Sequence, residues 1–215
     1  MKMSVFGCGG WGLAIASLLH QKGHGVTLWT PFDEECAALK RERGNAQLLP
    51  GIRLSEDIAV TTDRGSAADA DMAVIAVPSY AVHETASGLR GLLPAGQPVV
   101  LLSKGFDREG GYCLLSDTLE RALGSQSPVV ALTGPSHAEE VSRGVPTAVV
   151  AASRDRGAAE AVQAAFSAPV FRVYTSPDII GAELGGAMKN VMALAVGISD
   201  GAGFGDNTKA LLMTR

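Results

Sequence analysis

The feature that most constrains this chain is the run Gly7-Cys8-Gly9-Gly10-Trp11-Gly12, which follows a short β-type run at 2–6 and opens an apolar segment of helical composition. A GxGxxG at a strand-to-helix junction gives each glycine a task. The first permits the sharp turn, the second lets backbone approach a pyrophosphate, and the third lets the helix lie close on the strand, with free N–H groups of the first helical turn facing the anion. The glycines also interrupt the apolar stretch behind Lys2 that would otherwise resemble a secretion signal. Alone, such a turn serves equally well as a plain connection. At the head of a strand–helix alternation it points to a dinucleotide, NAD or NADP.

That alternation runs through most of the chain. Apolar, β-branched runs occur at 2–6, 25–29, 58–61, 72–77, 99–102, 129–132, 147–151 and 170–174, with helical segments at 12–21, 80–92, 114–123, 138–142 and 155–166. Runs apolar on both faces belong to strands covered by helices on each side, so residues 1–177 are expected to form a Rossmann-type, doubly wound, mostly parallel α/β sheet. After Tyr174 the texture changes. Thr175, Ser176 and Pro177 punctuate the chain, and from Asp178 apolar residues (Ile180, Leu184, Ala187, Met188, Val191, Met192, Ala195, Ile198) recur at three- and four-residue steps. Residues 178–215 are therefore read as the beginning of an all-helical second domain, stopping mid-pattern and expected to be incomplete.

Charge and cysteine usage exclude several classes. With 22 acidic and 18 basic residues the net charge is −4, which does not suit a nucleic-acid backbone or an anionic membrane as principal partner. The densest apolar stretch, 191–198, is too short to span a bilayer. Cys8, Cys36 and Cys113 are odd in number and form no CxxC, which argues against a disulfide framework or a zinc site and for a reducing, cytoplasmic setting. His20 and His24 lack a third ligand, so no metal is expected, and no GxSxG marks a hydrolase.

Candidate ligand residues gather where strand-like runs end. After 25–29 a carboxylate would bond the ribose 2′-OH of NAD; the chain offers Thr30-Pro31-Phe32-Asp33, and Asp33, Glu34 and Glu35 read equally as the acidic first turn of a helix. No arginine stands nearer than Arg41 and Arg43. Lys104 follows the run 99–103, and Ser79 and Gly134-Pro135-Ser136 occupy comparable rims, a pattern that fits one shared cleft. Lys189 lies within an apolar helix behind Gly185 and Gly186, each of which costs about 1 kcal/mol relative to alanine, a cost explained by a close approach on that face. A solvated turn lysine at 104 and a snorkelling lysine at 189 are the plain alternatives. Glu183 and Asn190, seven apart, fall near one helical face and are as readily two solvated positions.

With those residues in place, the chain resembles the bacterial NAD(P)-dependent sn-glycerol-3-phosphate dehydrogenase family over essentially its whole length. Gly7 to Gly12 is similar to the family's GxGxWG, Val77-Pro78-Ser79 to its VPS, Ser103-Lys104-Gly105 to its (T/S)KG, and Gly134-Pro135-Ser136 with Ala138 and Glu140 to its GPS-x-A-x-E. Gly144-Val145-Pro146-Thr147-Ala148 resembles G-x-PTA, and Glu183 to Val191 resembles ELGGAxKNV. The resemblance implies an oxidoreductase that interconverts sn-glycerol 3-phosphate and dihydroxyacetone phosphate and feeds glycerophospholipid synthesis. It implies Lys189 as the catalytic lysine, Lys104, Gly134 and Ser136 at a small phosphorylated three-carbon substrate, and Gly7, Gly9, Gly10, Trp11, Gly12, Lys104 and Ala138 at the cofactor. Pro31 stands where relatives commonly carry Arg or His for a 2′-phosphate, which leaves NAD against NADP open, and the family's later substrate motifs fall beyond Arg215. A homodimer is also left open. The rivals are a non-catalytic NAD(P)-sensing module, which needs neither lysine, and an S-adenosylmethionine methyltransferase, for which an acid rather than Pro31 would be expected.

Overall fold

A computed structural model describes residues 1–124 and 126–214; Ser125 and Arg215, the last residue of the expected second unit, lie outside the described residues. The strands are β1 (Lys2–Phe6), β2 (Gly25–Trp29), β3 (Ala59–Thr61), β4 (Met72–Ile75), β5 (Val99–Leu101), β6 (Phe106–Asp107), β7 (Cys113–Leu114), β8 (Val129–Thr133), β9 (Thr147–Ala152) and β10 (Phe171–Ser176). The helices are α1 (Gly10–Gln21), α2 (Asp33–Glu42), α3 (Val82–Ser87), α4 (Leu115–Leu123), α5 (Ala138–Ser142), α6 (Arg156–Phe166), α7 (Ile179–Gly201) and α8 (Asp206–Thr214).

Eight strands form one sheet in the order β10-β9-β8-β5-β4-β1-β2-β3, parallel except where β8 meets β9. Successive residues of each strand feed opposite faces. Met3, Val5, Val74, Val100 and Val130 pack with α1, α2 and α6 on one side, while Phe6, Ala73, Ile75, Val99, Leu101, Val129 and Ala131 pack with α3, α4 and the start of α7 on the other. Both faces being dry explains why these strands read as continuous apolar runs. Strand order reverses at β1, between β2 and β4, so the connections leaving β1 and β4 diverge and open a crevice at the carboxyl edge.

The structure departs from the sequence reading in several places. The expected helix at 80–92 is a 3-10 turn at Ser79–Ala81 followed by α3, which ends at Ser87. The acidic run at 33–35 forms the first turn of α2, where carboxylates suit the positive end of the helix dipole. A two-stranded antiparallel ribbon, β6–β7, follows Lys104 and was not expected. The boundary read at 177/178 falls between β10 and α7. Over its 23 residues α7 reaches a mean hydropathy of 1.3 in an 18-residue window, enough by length and composition alone to cross a bilayer, which a count over 191–198 had not shown. In this structure only Ile179, Glu183 and Ser199 of α7 are buried, and Ile180, Leu184, Val191, Leu194 and Ile198 are exposed.

The glycine turn sets the distance between α1 and β1. A Cβ on Gly12 would stand 2.0 Å from the Gly7 carbonyl oxygen, and one on Gly7, whose φ is +116°, would stand 2.8 Å from the Ala76 carbonyl. A Cβ on Gly9 would meet nothing within 4 Å. Gly12→Ala should therefore cost about 1–3 kcal/mol in urea unfolding, whereas Gly9→Ala should cost less than about 1 kcal/mol. Equal losses at the two positions would contradict this division between a packing glycine and a surface one.

Candidate functional site

The site is assembled from the carboxyl ends of β1, β4, β5 and β8. Gly7 N donates to the Trp29 carbonyl at 2.9 Å, which ties the turn to the end of β2. The α1 ladder opens with Leu13 N donating to Gly9 O at 3.0 Å, so the amides of Gly10, Trp11 and Gly12 lie ahead of it, and no acidic residue occupies that first turn. Three free amides at a positive helix end, beside an open surface at Gly9, fit the pyrophosphate of a dinucleotide. A Cβ on Gly10 would approach Leu48 O to 2.5 Å and the Ala138 methyl to 3.8 Å, so the start of α5 abuts the start of α1. Trp11 is half-buried and packs on the core.

The neighbouring rims interlock. Ser103 Oγ donates to the Val77 carbonyl, and a Cβ on Gly105 would stand 3.5 Å from Ser79, which brings the turns after β4 and β5 together. Lys104 Nζ donates to Gly134 O at 2.9 Å and to Ser136 Oγ at 3.5 Å. Gly134 itself is fixed by packing, since a Cβ there would lie 2.9 Å from Ala148 O. From above, a Cβ on Gly186 would fall 2.7 Å from Thr133 Oγ1 and 3.8 Å from Lys104 Cγ, whereas one on Gly185 would meet nothing. Of the paired glycines, Gly186 thus accounts for the close approach of α7 to the end of β8. The contact places Lys189, three residues on and exposed, on the Lys104 side of the cleft. Burial, and then the positive charge of Lys189, hold Lys104 below the ordinary lysine value.

At the end of β2 the Arg64 guanidinium lies over the Trp29 ring, 5.1 Å from its centroid. Pro31, Phe32 and Asp33 are exposed, and Thr30, fully buried, donates its hydroxyl to the Glu35 carboxylate. Arg43 is turned away, its guanidinium bound to Ile58 O at 2.8 Å, and Arg41 pairs with Glu42 at 2.7 Å. Cys8, within the turn, is buried, and its thiol is pushed up to about 12 by burial, with Glu35 and Cys36 adding to the rise. It is held neutral and serves as a small apolar filler. Among the described residues no group of three or more His, Cys, Asp or Glu is arranged for a metal. A groove of about 590 Å³ between His83, Arg90, Asp107, Glu109 and Arg121 includes none of the residues above; the interlocking rims have the stronger claim to chemistry.

Sequence reasoning did not find the partner of Glu183. This side chain, only 7% exposed, reaches the first turn of α4, where Ser116 N donates to Oε1 at 3.1 Å and Ser116 Oγ donates to Oε2. Asn190, read with it on one face, is exposed. Burial pushes the Glu183 carboxyl above the usual range, against the opposing effect of the Ser116 bonds. Nothing in the local sequence signals a contact spanning 67 residues, although Thr133, at the end of an apolar run, is a rim residue that the strand pattern does expose.

Comparison with known proteins gives a family. Residues 2–159 match the model for the NAD-dependent glycerol-3-phosphate dehydrogenase N-terminus, and residues 178–215 that for its C-terminus. Proteins described as glycerol-3-phosphate dehydrogenase [NAD(P)+] are 46% identical in Fusobacterium nucleatum, over 100% of this chain and 64% of the relative, and 49% identical in Moorella thermoacetica, over 99% and 63%. A crystal structure of glycerol-3-phosphate dehydrogenase from Coxiella burnetii superposes with a TM-score of 0.86 at 34% identity, covering 99% of this chain and 65% of that one. The chain thus spans a little under two thirds of the length of these relatives.

A raised folded-state carboxyl value means that Glu183 contributes most below the unfolded value near 4.5 and that this contribution is lost as pH rises through the folded value. Glu183→Gln cannot ionise. Melting temperatures taken from pH 4 to 7 (about this range) should show the variant gaining on the wild type as pH rises; a gap that moves the opposite way would contradict the burial assignment.

Proposed function

The chain belongs to the NAD-dependent glycerol-3-phosphate dehydrogenase family, and on that premise we propose that it interconverts sn-glycerol 3-phosphate and dihydroxyacetone phosphate with NAD or NADP, in the cytoplasm and in the service of glycerophospholipid synthesis. One observation carries the reading: lysines from two separate segments converge on the rim that continues from the glycine turn. A Cβ on Gly10 would lie 3.8 Å from the Ala138 methyl, Ser136 Oγ lies 3.5 Å from Lys104 Nζ, and Lys104 lies against Gly186, three residues before Lys189, whose charge disfavours that of Lys104. A dinucleotide sensor would need the first of these contacts and not the last.

When bound, the nicotinamide supplies the hydride that the carbonyl carbon accepts. The chain's own residues supply charge and orientation. Two ammonium groups in one cleft favour an anionic, phosphorylated substrate. Lys104 is anchored by Gly134 O and Ser136, so it acts as a fixed cation with little reorganisation left to undergo. Lys189 has no such tether. Its ammonium is free to donate a proton to the C2 oxygen as negative charge grows there, and in the reverse direction its amine takes the hydroxyl proton. Gly134 and Ser136 form the floor on which the substrate rests.

Two measurements test this reading. Gly9→Val places a branched side chain where pyrophosphate would lie and should weaken NADH binding in calorimetry by about tenfold or more; unchanged affinity in a folded variant would remove the cofactor from this turn. Lys189→Met, compared with the wild type at equal chain length, should lower kcat for dihydroxyacetone phosphate reduction by about 10²-fold or more, with cofactor affinity little changed. Retained turnover would make Lys189 a structural lysine.

A further inference from the structure

We infer that Glu183 is a positioning residue: its carboxylate, gripped by the amide and hydroxyl of Ser116 at the start of α4, fixes the seat of α7 and thereby holds Lys189 opposite Lys104. The inference deepens the reading above and depends on it only for the importance of Lys189.

α7 has few other holds on the sheet. Past Ile179, which packs in the core beneath α4, the buried side chains of the helix are Glu183 and the distant Ser199. Ile179 and Glu183 are four apart and share a face; Gly186, three further on, is the point where the helix backbone closes on Thr133. That close approach is attractive only at short range, since a glycine offers no side chain to interlock, and it does not by itself resist rotation or sliding. The Glu183–Ser116 pair does. It joins two charge-assisted hydrogen bonds to the positive end of α4, and both are directional. Asp117, the residue after Ser116, opposes the carboxylate, so the hold depends on the Ser116 geometry. A buried carboxylate is costly as a stability device, because an apolar residue of similar shape would fill the gap without desolvation. Its use here is explained by what it fixes. Glu183, Gly186 and Lys104 line one small cavity below the cleft, so a slip of α7 at Glu183 is transmitted directly to the lysine pair.

The test follows the Lys104–Lys189 interaction itself and needs neither cofactor nor substrate, so its failure is separate from failure of the dehydrogenase reading. Lysine side chains carrying ¹³C at Cε are titrated by NMR, and the midpoint of Lys104 is compared with and without Lys189→Met. In the wild type and in Glu183→Gln, which keeps an acceptor for the Ser116 amide and a donor for its hydroxyl, removing the Lys189 charge should raise the Lys104 midpoint. In Glu183→Ala the rise should shrink to about half or less. If Glu183→Ala does not fold, as judged by circular dichroism, Ser116→Ala removes the hydroxyl bond alone and should give a smaller loss in the same direction. A rise of equal size in every folded background would overturn the inference, as would a Lys104 midpoint that ignores Lys189 in the wild type.

Discussion

A helix lies this close to the strand that leads into it only when no side chain stands between them, and the contact of Gly12 with the Gly7 carbonyl is the constraint on which the rest of the molecule rests. It fixes where α1 begins, and with it the direction of the three leading amides. Because Gly7 also bonds to the end of β2 and abuts Ala76 after β4, the same turn sets the level of three strands at once. The cleft is therefore not a gap between finished parts. Its floor is the place where backbone meets backbone, and the glycines there trade stability in the helix for approach.

The charge pattern above that floor is asymmetric in a useful way. Lys104 is partly desolvated and tied down, Lys189 is exposed, and the positive charge of Lys189 disfavours that of Lys104. A pair of cations in that relation gains when an anion arrives between them. By contrast, at the end of β2 the Thr30 hydroxyl bonds to Glu35, Arg41 and Arg43 are engaged elsewhere, and the Arg64 guanidinium lies over the Trp29 ring.

Much of this is legible in the sequence because local patterns report local causes. Strands covered on both faces, such as β4, β5 and β8, leave unbroken apolar runs, whereas the edge strand β10 alternates buried and exposed residues. Glycines that pack leave a spacing, so Gly7, Gly12 and Gly186 stand out. What escaped was either too short or too distant to leave a pattern. Two-residue strands such as β6 and β7 have no period to detect, and the antiparallel entry of β9 is a matter of direction, on which composition is silent. The Glu183–Ser116 bond joins residues whose neighbours in the chain say nothing of each other.

The reversal at β9 has a mechanical consequence. Since β9 and β10 run against β8, the chain leaves the sheet at Ser176 level with the middle of β8 and α7 must climb along β8 to reach the cleft. It is seated on the sheet near its base, and its far end meets α8, where Lys209 pairs with Asp200 at 2.9 Å. At 1.5 Å per residue, Lys189 lies about 9 Å from Glu183 along the axis and Gly201 about 27 Å. The helix is then a lever with Glu183 as fulcrum: a tilt of roughly 10° carries Gly201 through about 5 Å and Lys189 through about 1.6 Å. A displacement of about 1 Å at a reacting group is enough to change rates by about 10²-fold. Whatever grips the far end of α7 therefore moves Lys189 with a threefold mechanical advantage, about the ratio of the two arms.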